Sequence, residues 1–303
     1  MPARKLLLFD LALLAILILA SRLALVAHEG GGHALPALAC GASDVELKLS
    51  PLGGGYVKYR LASPSPAQIA LIKLGGIAVN LATGLVAWIL ARRMSSRGLV
   101  HLGLLIFGVG SVGGALVYLS NGLYYGSGDP TGFAPRTLDI AALRPLWLLG
   151  PPAGAAVAWI AAGHWSDVLS TLVTPKGRAG RIGWTLVTLG VAGAAYGGLW
   201  LALRDAKIEG STRQWRLERE VAKEVERRTT SPAAPVVVKP EDVAHRLPSP
   251  AGPIAFYAAG LLAGAVSLAR PWKSGLPGAW PPWGAAALGV VAAGTVALLR
   301  VFG

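Results

Sequence analysis

Charge is scarce in this chain. Only 14% of its 303 residues are Asp, Glu, Lys or Arg, while 53% are hydrophobic. Soluble domains carry about 25% charged residues, so a soluble body of this length could not cover its surface, and the scarcity excludes that class. Cysteine is nearly missing: Cys40 is the one thiol, which excludes an intrachain disulfide and leaves the redox compartment open. Acid is scarcer than base, 15 Asp+Glu against 28 Lys+Arg, giving a net charge of +13. Such an excess can mark a nucleic-acid binder. Here the bases stand at the ends of apolar blocks, which fits anchoring and orientation in an anionic lipid bilayer and argues for no nucleic-acid partner. No internal repeat is present, which argues against the paired halves of a small-solute transporter.

What the chain does have is long apolar runs. A membrane-crossing helix needs roughly 20 apolar residues, since the hydrocarbon layer is about 30 Å thick and a helix rises about 1.5 Å per residue. Runs at about 6–27 (continuing as helix to about 38), 67–91, 99–120, 140–163, 182–203, 252–269 and 284–302 approach or exceed that length. Residues 43–62 alternate polar and apolar around Gly53-Gly54-Gly55 and predict a hairpin. The expected fold is an all-α polytopic membrane protein, with six to seven transmembrane helices and a short membrane-associated β-hairpin after the first. It divides into 1–140 (three spans and the hairpin 43–62), 141–203 (two spans), 204–250, and 251–303 (a two-span hairpin). Pro151-Pro152 should kink or split the fourth span. Asp10 and Arg22 interrupt the first, at a cost unless they face protein or water.

Segment 204–250 differs in kind, with ten Lys/Arg and eight Asp/Glu. Residues 212–228 predict a charged helix with Leu217, Val221 and Val225 at four-residue spacing and a favourable Glu224–Arg228 pair. This helix is expected to be solvated or to lie on the membrane surface, with gating or partner binding as the alternative. A Pro-rich linker follows, and the tryptophans of 271–283 suit a membrane interface. Short basic loops around Arg92, Arg93 and Arg97 and around Lys176, Arg178 and Arg181 share a side with Arg4 and Lys5. By the positive-inside rule that side is cytoplasmic, while the long basic loop 204–250 lies on the opposite side and pulls the other way, so both orientations stand. The expected location is integral and multi-pass, in a bacterial cell membrane.

Outside 204–250 there are only seven carboxylates, and one of them, Glu29, lies between two histidines in His28-Glu29-Gly30-Gly31-Gly32-His33. A His-Glu pair at membrane depth is expensive and marks function. Metallopeptidases place two histidines four apart on a helix, on one face, with a glutamate as general base. Here the spacing is five, which on a regular α-helix sets the imidazoles roughly 140° apart. A π-turn, at about 4.4 residues per turn, returns them to within about 50°, and three glycines ease that distortion. The alternative is a glycine-rich packing surface with two incidental histidines.

In their order along the chain, four pieces resemble the site-2 protease family of intramembrane zinc metalloproteases. They are the His-Glu…His-Ala-Leu run, the hairpin segment Pro51-Leu52-Gly53-Gly54-Gly55-Tyr56-Val57, Gly75-Gly76-Ile77-Ala78-Val79-Asn80 in the second span, and Asn121…Asp129 after the third. The family pattern at the last piece is Asn-x-x-Pro-x-x-x-x-Asp-Gly; here Tyr124 stands in place of Pro and Pro130 in place of Gly. The resemblance covers about residues 21–130 and makes 1–140 a metalloprotease-like membrane core. It implies a Zn²⁺ site of His28, His33 and Asp129, Glu29 as catalytic base, and substrate contacts from Asn80, Asn121, Gly54 and Gly55. The partner implied is a membrane protein or peptide substrate. The alternative function is a catalytically inactive member of the same fold, acting as scaffold or regulator.

Each of these residues also has a plainer reading. Asp129 sits in Gly-Ser-Gly-Asp-Pro, a turn signal in itself. Asn80 can bridge helices within the membrane, and Asn121 can cap a helix end. His101 and His164, near span ends, are expected at the interface. Tyr124 and Tyr125 are candidates for oxyanion stabilisation or, equally, interface aromatics.

Overall fold

The computed structural model describes residues 3–96, 98–126, 128–132, 140–173, 177–203, 212–229, 238–244, 247, 249–268 and 287–296. The first helix, α1 (Ala3–Val26), runs without interruption into a π-helical segment, Ala27–Ala34, and then a short α2 (Leu35–Ala39). Two antiparallel strands follow, β1 (Ser43–Leu49) and β2 (Gly55–Arg60), with Leu47 opposite Val57 and Leu49 opposite Gly55. This is the expected hairpin.

The second span, α3 (Pro66–Arg93), begins where its sequence asks it to. Ser65 and Gln68 form a reciprocal capping box, with Pro66 in the first turn, where its missing N–H is no loss. α4 (Leu99–Tyr125) ends at Gly126, whose left-handed backbone (φ 64°) turns the chain, and Gly128 (φ 75°) turns it again into α5 (Asp129–Gly132). A 3₁₀ stretch, Ile140–Leu149, precedes α6 (Gly150–Ser170). Pro151 and Pro152 therefore fall in the first turn of α6, so the expected break lies at a change of helix type. Next come α7 (Gly177–Leu203), α8 (Thr212–Thr229), α9 (Pro240–Ala244), α10 (Ala251–Leu268) and α11 (Ala287–Val296).

Among the described residues six helices are long and apolar enough to cross a membrane: Leu6–Ala39, Pro66–Arg93, Leu99–Tyr125, Pro145–Ser170, Ala179–Leu203 and Ala251–Leu268. The chain is thus a largely helical, multi-pass membrane-type protein with one small sheet. Of the expected seventh span, 284–302, the described part is the ten-residue apolar helix α11; the rest of 284–302, the segment 271–283 and most of the linker after α8 lie outside the described residues.

α1, α4 and α6 meet over a core of Phe9, Leu13, Ile16, Leu102, Leu105, Trp165, Val168 and Leu169. α3 crosses both α4 and the π segment, and α6 packs along α10. Arg22 turns inward: its Nη1 donates to the Ser50 carbonyl at 2.8 Å, tying the first span to the hairpin. α8 carries the expected Glu224–Arg228 pair at 2.8 Å. Its most buried face differs from the apolar stripe, however: Glu220 and Glu224 are buried, while Leu217, Val221 and Val225 are half-buried.

Candidate metal centre

The π segment spans the whole Ala-His-Glu-Gly-Gly-Gly-His-Ala run, and it does what the five-residue spacing demands. The rings of His28 and His33 stand 4.9 Å apart, centroid to centroid, nearly perpendicular. The turn after α4 brings Asp129 to them. Its Oδ2 lies 3.2 Å from His33 Nε2 and 3.9 Å from His28 Nε2. One ligand atom from each of the three residues falls within 4.8 Å of the others, a grouping able to hold a metal ion. Ligand atoms about 2.0–2.2 Å from a tetrahedral ion stand roughly 3.3–3.6 Å apart, so the residues present fit such an ion with little adjustment.

The far ring nitrogens are anchored outward. His33 Nδ1 lies 2.5 Å from the Ile72 carbonyl. A carbonyl only accepts, so Nδ1 carries a proton, and Nε2 is the nitrogen left to face inward, where it would offer its lone pair to a metal ion on giving up its own proton. The Asn80 side-chain amide lies 3.2 Å from His28 Nδ1, and its buried Oδ1 has no partner. With the amide O and N exchanged, Oδ1 accepts from His28 Nδ1–H. That pairing satisfies the oxygen and frees His28 Nε2 as well.

α3 supplies no ligand but provides most of this outer shell. Ile72 and Lys73, then Gly76, then Asn80 follow at helical spacing along one face. Gly32 of the π segment meets Gly75 and Gly76 backbone to backbone, and a Cβ on Gly76 would come within 2.6 Å of the Nε2 atoms of both histidines. The two helices can approach, and the imidazole tips can converge, because that side chain is missing.

Asp129 has two further partners. Lys73 Nζ lies 3.3 Å from Oδ1, and the Tyr118 hydroxyl donates to Oδ2 at 3.2 Å while accepting the Asp129 N–H at 3.3 Å. Burial alone would raise the Asp129 carboxyl, but His28, His33 and Lys73 around it outweigh burial and hold it well below the usual carboxylate range. It is an anion at neutral pH. Its loop is shaped for this position, since the ring of Pro130 fills the space left by Gly122.

The three residues open onto a cleft of about 830 Å³, also lined by Glu29, Gly54, Gly55, Tyr56, Val57, Asn80, Lys73, Tyr118, Tyr196 and Arg219. Glu29 is buried, its Cγ close against Gly55. Of the residues singled out in the sequence, His28, Glu29, His33, Gly54, Gly55, Asn80 and Asp129 gather here. Asn121 does not: it lies one turn beyond Tyr118 on α4 and does not line the cleft. Tyr124 and Tyr125 do not either; Tyr124 stacks edge-on against Tyr125 and Trp147. His101, in the first turn of α4, is fully buried, with Nδ1 3.0 Å from the Ala91 carbonyl and its ring 6.4 Å from that of His164. Lys73 and Tyr118 were missed from sequence. An ionisable residue inside a span is itself a signal of function, and that signal points to Lys73.

Fold and site together define a class: a polytopic membrane-type protein in which two histidines and one carboxylate, a grouping able to hold a metal ion, lie beside a buried glutamate. Comparison goes no further, for no family model, no curated protein and no solved structure matches the chain.

Proposed function

We propose that this protein is a membrane-embedded zinc metalloprotease that cleaves membrane-associated or transmembrane protein substrates, a divergent relative of the site-2 proteases. One observation carries the reading: an unusual π-turn gathers His28 and His33 around the carboxylate of an aspartate about a hundred residues away. Three protein ligands and a fourth open position are the pattern of catalytic rather than structural zinc.

His28, His33 and Asp129 would hold the ion, which supplies polarisation of the scissile carbonyl and acidification of water. Glu29 sits next to His28 in the cleft, takes the proton of the attacking water and returns it to the leaving amine. Gly54 and Gly55, with Tyr56 and Val57 after them, line the same cleft, which supports pairing of an extended substrate segment with β2 by strand addition. A helical substrate must unwind first, because its peptide bonds are otherwise shielded.

A second reading, a non-catalytic membrane scaffold of the same fold, is favoured by the way the cluster closes on itself, with Asp129 paired to both His33 and Lys73. Metal content separates the two. Purified wild type should carry one zinc and His33→Ala almost none. Glu29→Gln should keep the metal and lose roughly 10²–10⁴-fold in turnover. A wild type devoid of zinc removes the enzyme; undiminished proteolysis by Glu29→Gln removes Glu29 as base.

A further inference from the structure

The two oxygens of Asp129 face different neighbours. Oδ2 looks toward both imidazole Nε2 atoms, at 3.2 and 3.9 Å, and takes the Tyr118 hydroxyl. Oδ1 looks away, to the ammonium of Lys73 at 3.3 Å. We propose that Lys73 is a positioning residue that would restrict Asp129 to holding a metal ion through a single oxygen, leaving a position on the ion free for water. The inference rests on the metalloprotease reading and adds to it a determinant of coordination number.

The reasoning is electrostatic and geometric. A carboxylate with both oxygens free can close on a divalent ion with both, and that would take up the position water needs. An ammonium on Oδ1 opposes this twice. It holds that oxygen in a charge-assisted hydrogen bond, and it repels any cation that approaches from its side. The placement is costly by default, since a lysine within a span is unfavourable unless paired. A divalent ion nearby makes it worse, so metal affinity alone does not account for Lys73. Its neighbour in sequence, Ile72, anchors His33 through its carbonyl. One turn of α3 therefore fixes the orientation of two of the three ligands, the imidazole by a carbonyl and the carboxylate by an ammonium.

Cobalt(II) in place of zinc reads this directly, because four-coordinate tetrahedral cobalt absorbs strongly in the visible range and five-coordinate cobalt weakly. Full-length protein in lipid nanodiscs would be titrated with Co²⁺ as wild type, Lys73→Met, Lys73→Gln and Lys73→Arg. The wild type should give the intense four-coordinate spectrum. Both neutral variants should bind cobalt at least as tightly but with weakened, five-coordinate bands, and their zinc forms should lose roughly 10–100-fold in turnover. Lys73→Arg should restore the wild-type spectrum.

Unchanged intense bands in both neutral variants overturn the proposal. So does loss of cobalt binding in both while Lys73→Arg binds, since Lys73 would then be holding the ligand in place rather than limiting it. A wild type that takes up no cobalt removes the metal reading itself, an outcome distinct from either of these.

Discussion

Where α3 crosses the π segment, Gly32 meets Gly75 and Gly76 backbone to backbone, and the space above Gly76 belongs to two imidazole tips. Where α6 packs along α10, Gly154 receives the ring of Phe256; beside this crossing Gly150 faces the Ser120 side chain of α4, and Gly252 of α10 receives the ring of Tyr124 from α4. Both crossings need small residues, because helices in lipid associate by close packing and interhelical hydrogen bonds rather than by escape from water. The difference is in what fills the gap. A ring is an apolar filler that can rotate or be replaced by another of similar volume. Backbone cannot retreat without moving a whole helix, and an imidazole that the proposed metal site needs as a ligand cannot turn away without losing that role. Glycine in a span marks chemistry only in the second situation.

The comparison is most exposed to a methyl group at Gly76. Gly76→Ala puts a carbon 2.6 Å from the Nε2 atoms of His28 and His33, in the space where those atoms converge. Overpacking an interior costs about 1–3 kcal/mol, and here the strain falls on the ligands. Metal affinity should fall by roughly 10–100-fold, the range seen when groups supporting ligands are lost, as read by competitive chelator titration. Wild-type affinity in Gly76→Ala would mean that the imidazoles do not converge at this position.

A smaller effect separates glycines within one motif. A Cβ on Gly32 would collide with the backbone of Gly75 and Gly76, whereas one on Gly30 meets nothing within 4 Å. Gly32→Ala should destabilise the protein by about 1–3 kcal/mol, measured as a drop in thermal midpoint in detergent. Gly30→Ala should be neutral or slightly stabilising, since alanine exceeds glycine in helix propensity by about 1 kcal/mol. If the two variants melt together, the close crossing is not what fixes the turn.

That contrast also shows where the sequence is legible. The five-residue spacing of His28 and His33 forces a choice between splayed rings and a widened turn, and the π segment Ala27–Ala34 is the widened turn. The hairpin and the first three spans follow from local signals: alternation, capping, apolar run length. Lys73 and Tyr118 are different. Tyr118 and Tyr124 lie on the same helix with the same chemistry, yet one bonds Asp129 and the other packs on Trp147. Which tyrosine faces the site depends on the rotation of α4 against α1, which is set by packing among Ile16, Leu102, Leu105 and Trp165 rather than by anything local. Asn121 misleads for the same reason: a motif offset fixes distance along the chain but not the side of the helix that reaches the cleft. In α8 the apolar spacing of Leu217, Val221 and Val225 reads correctly as a helix, while the acids between them are the more buried, a reversal that only tertiary contact produces.

The gentlest test is at the other crossing. Gly154→Ala brings a methyl within 2.7 Å of Phe256 Cζ, the outer end of a side chain that can swing. The resulting strain, near the lower limit of about 1 kcal/mol for overpacking, is set against a helix-propensity gain of similar size. The thermal midpoint should therefore move little. Adding Phe256→Leu should relieve any remaining strain, so the two changes together should behave better than the sum of each alone. Zinc content should be unaffected throughout, because none of these atoms lines the cleft. A loss of metal in Gly154→Ala would show that the two crossings are coupled through α4, and the distinction between a ring-filled and a ligand-filled glycine gap would then fail.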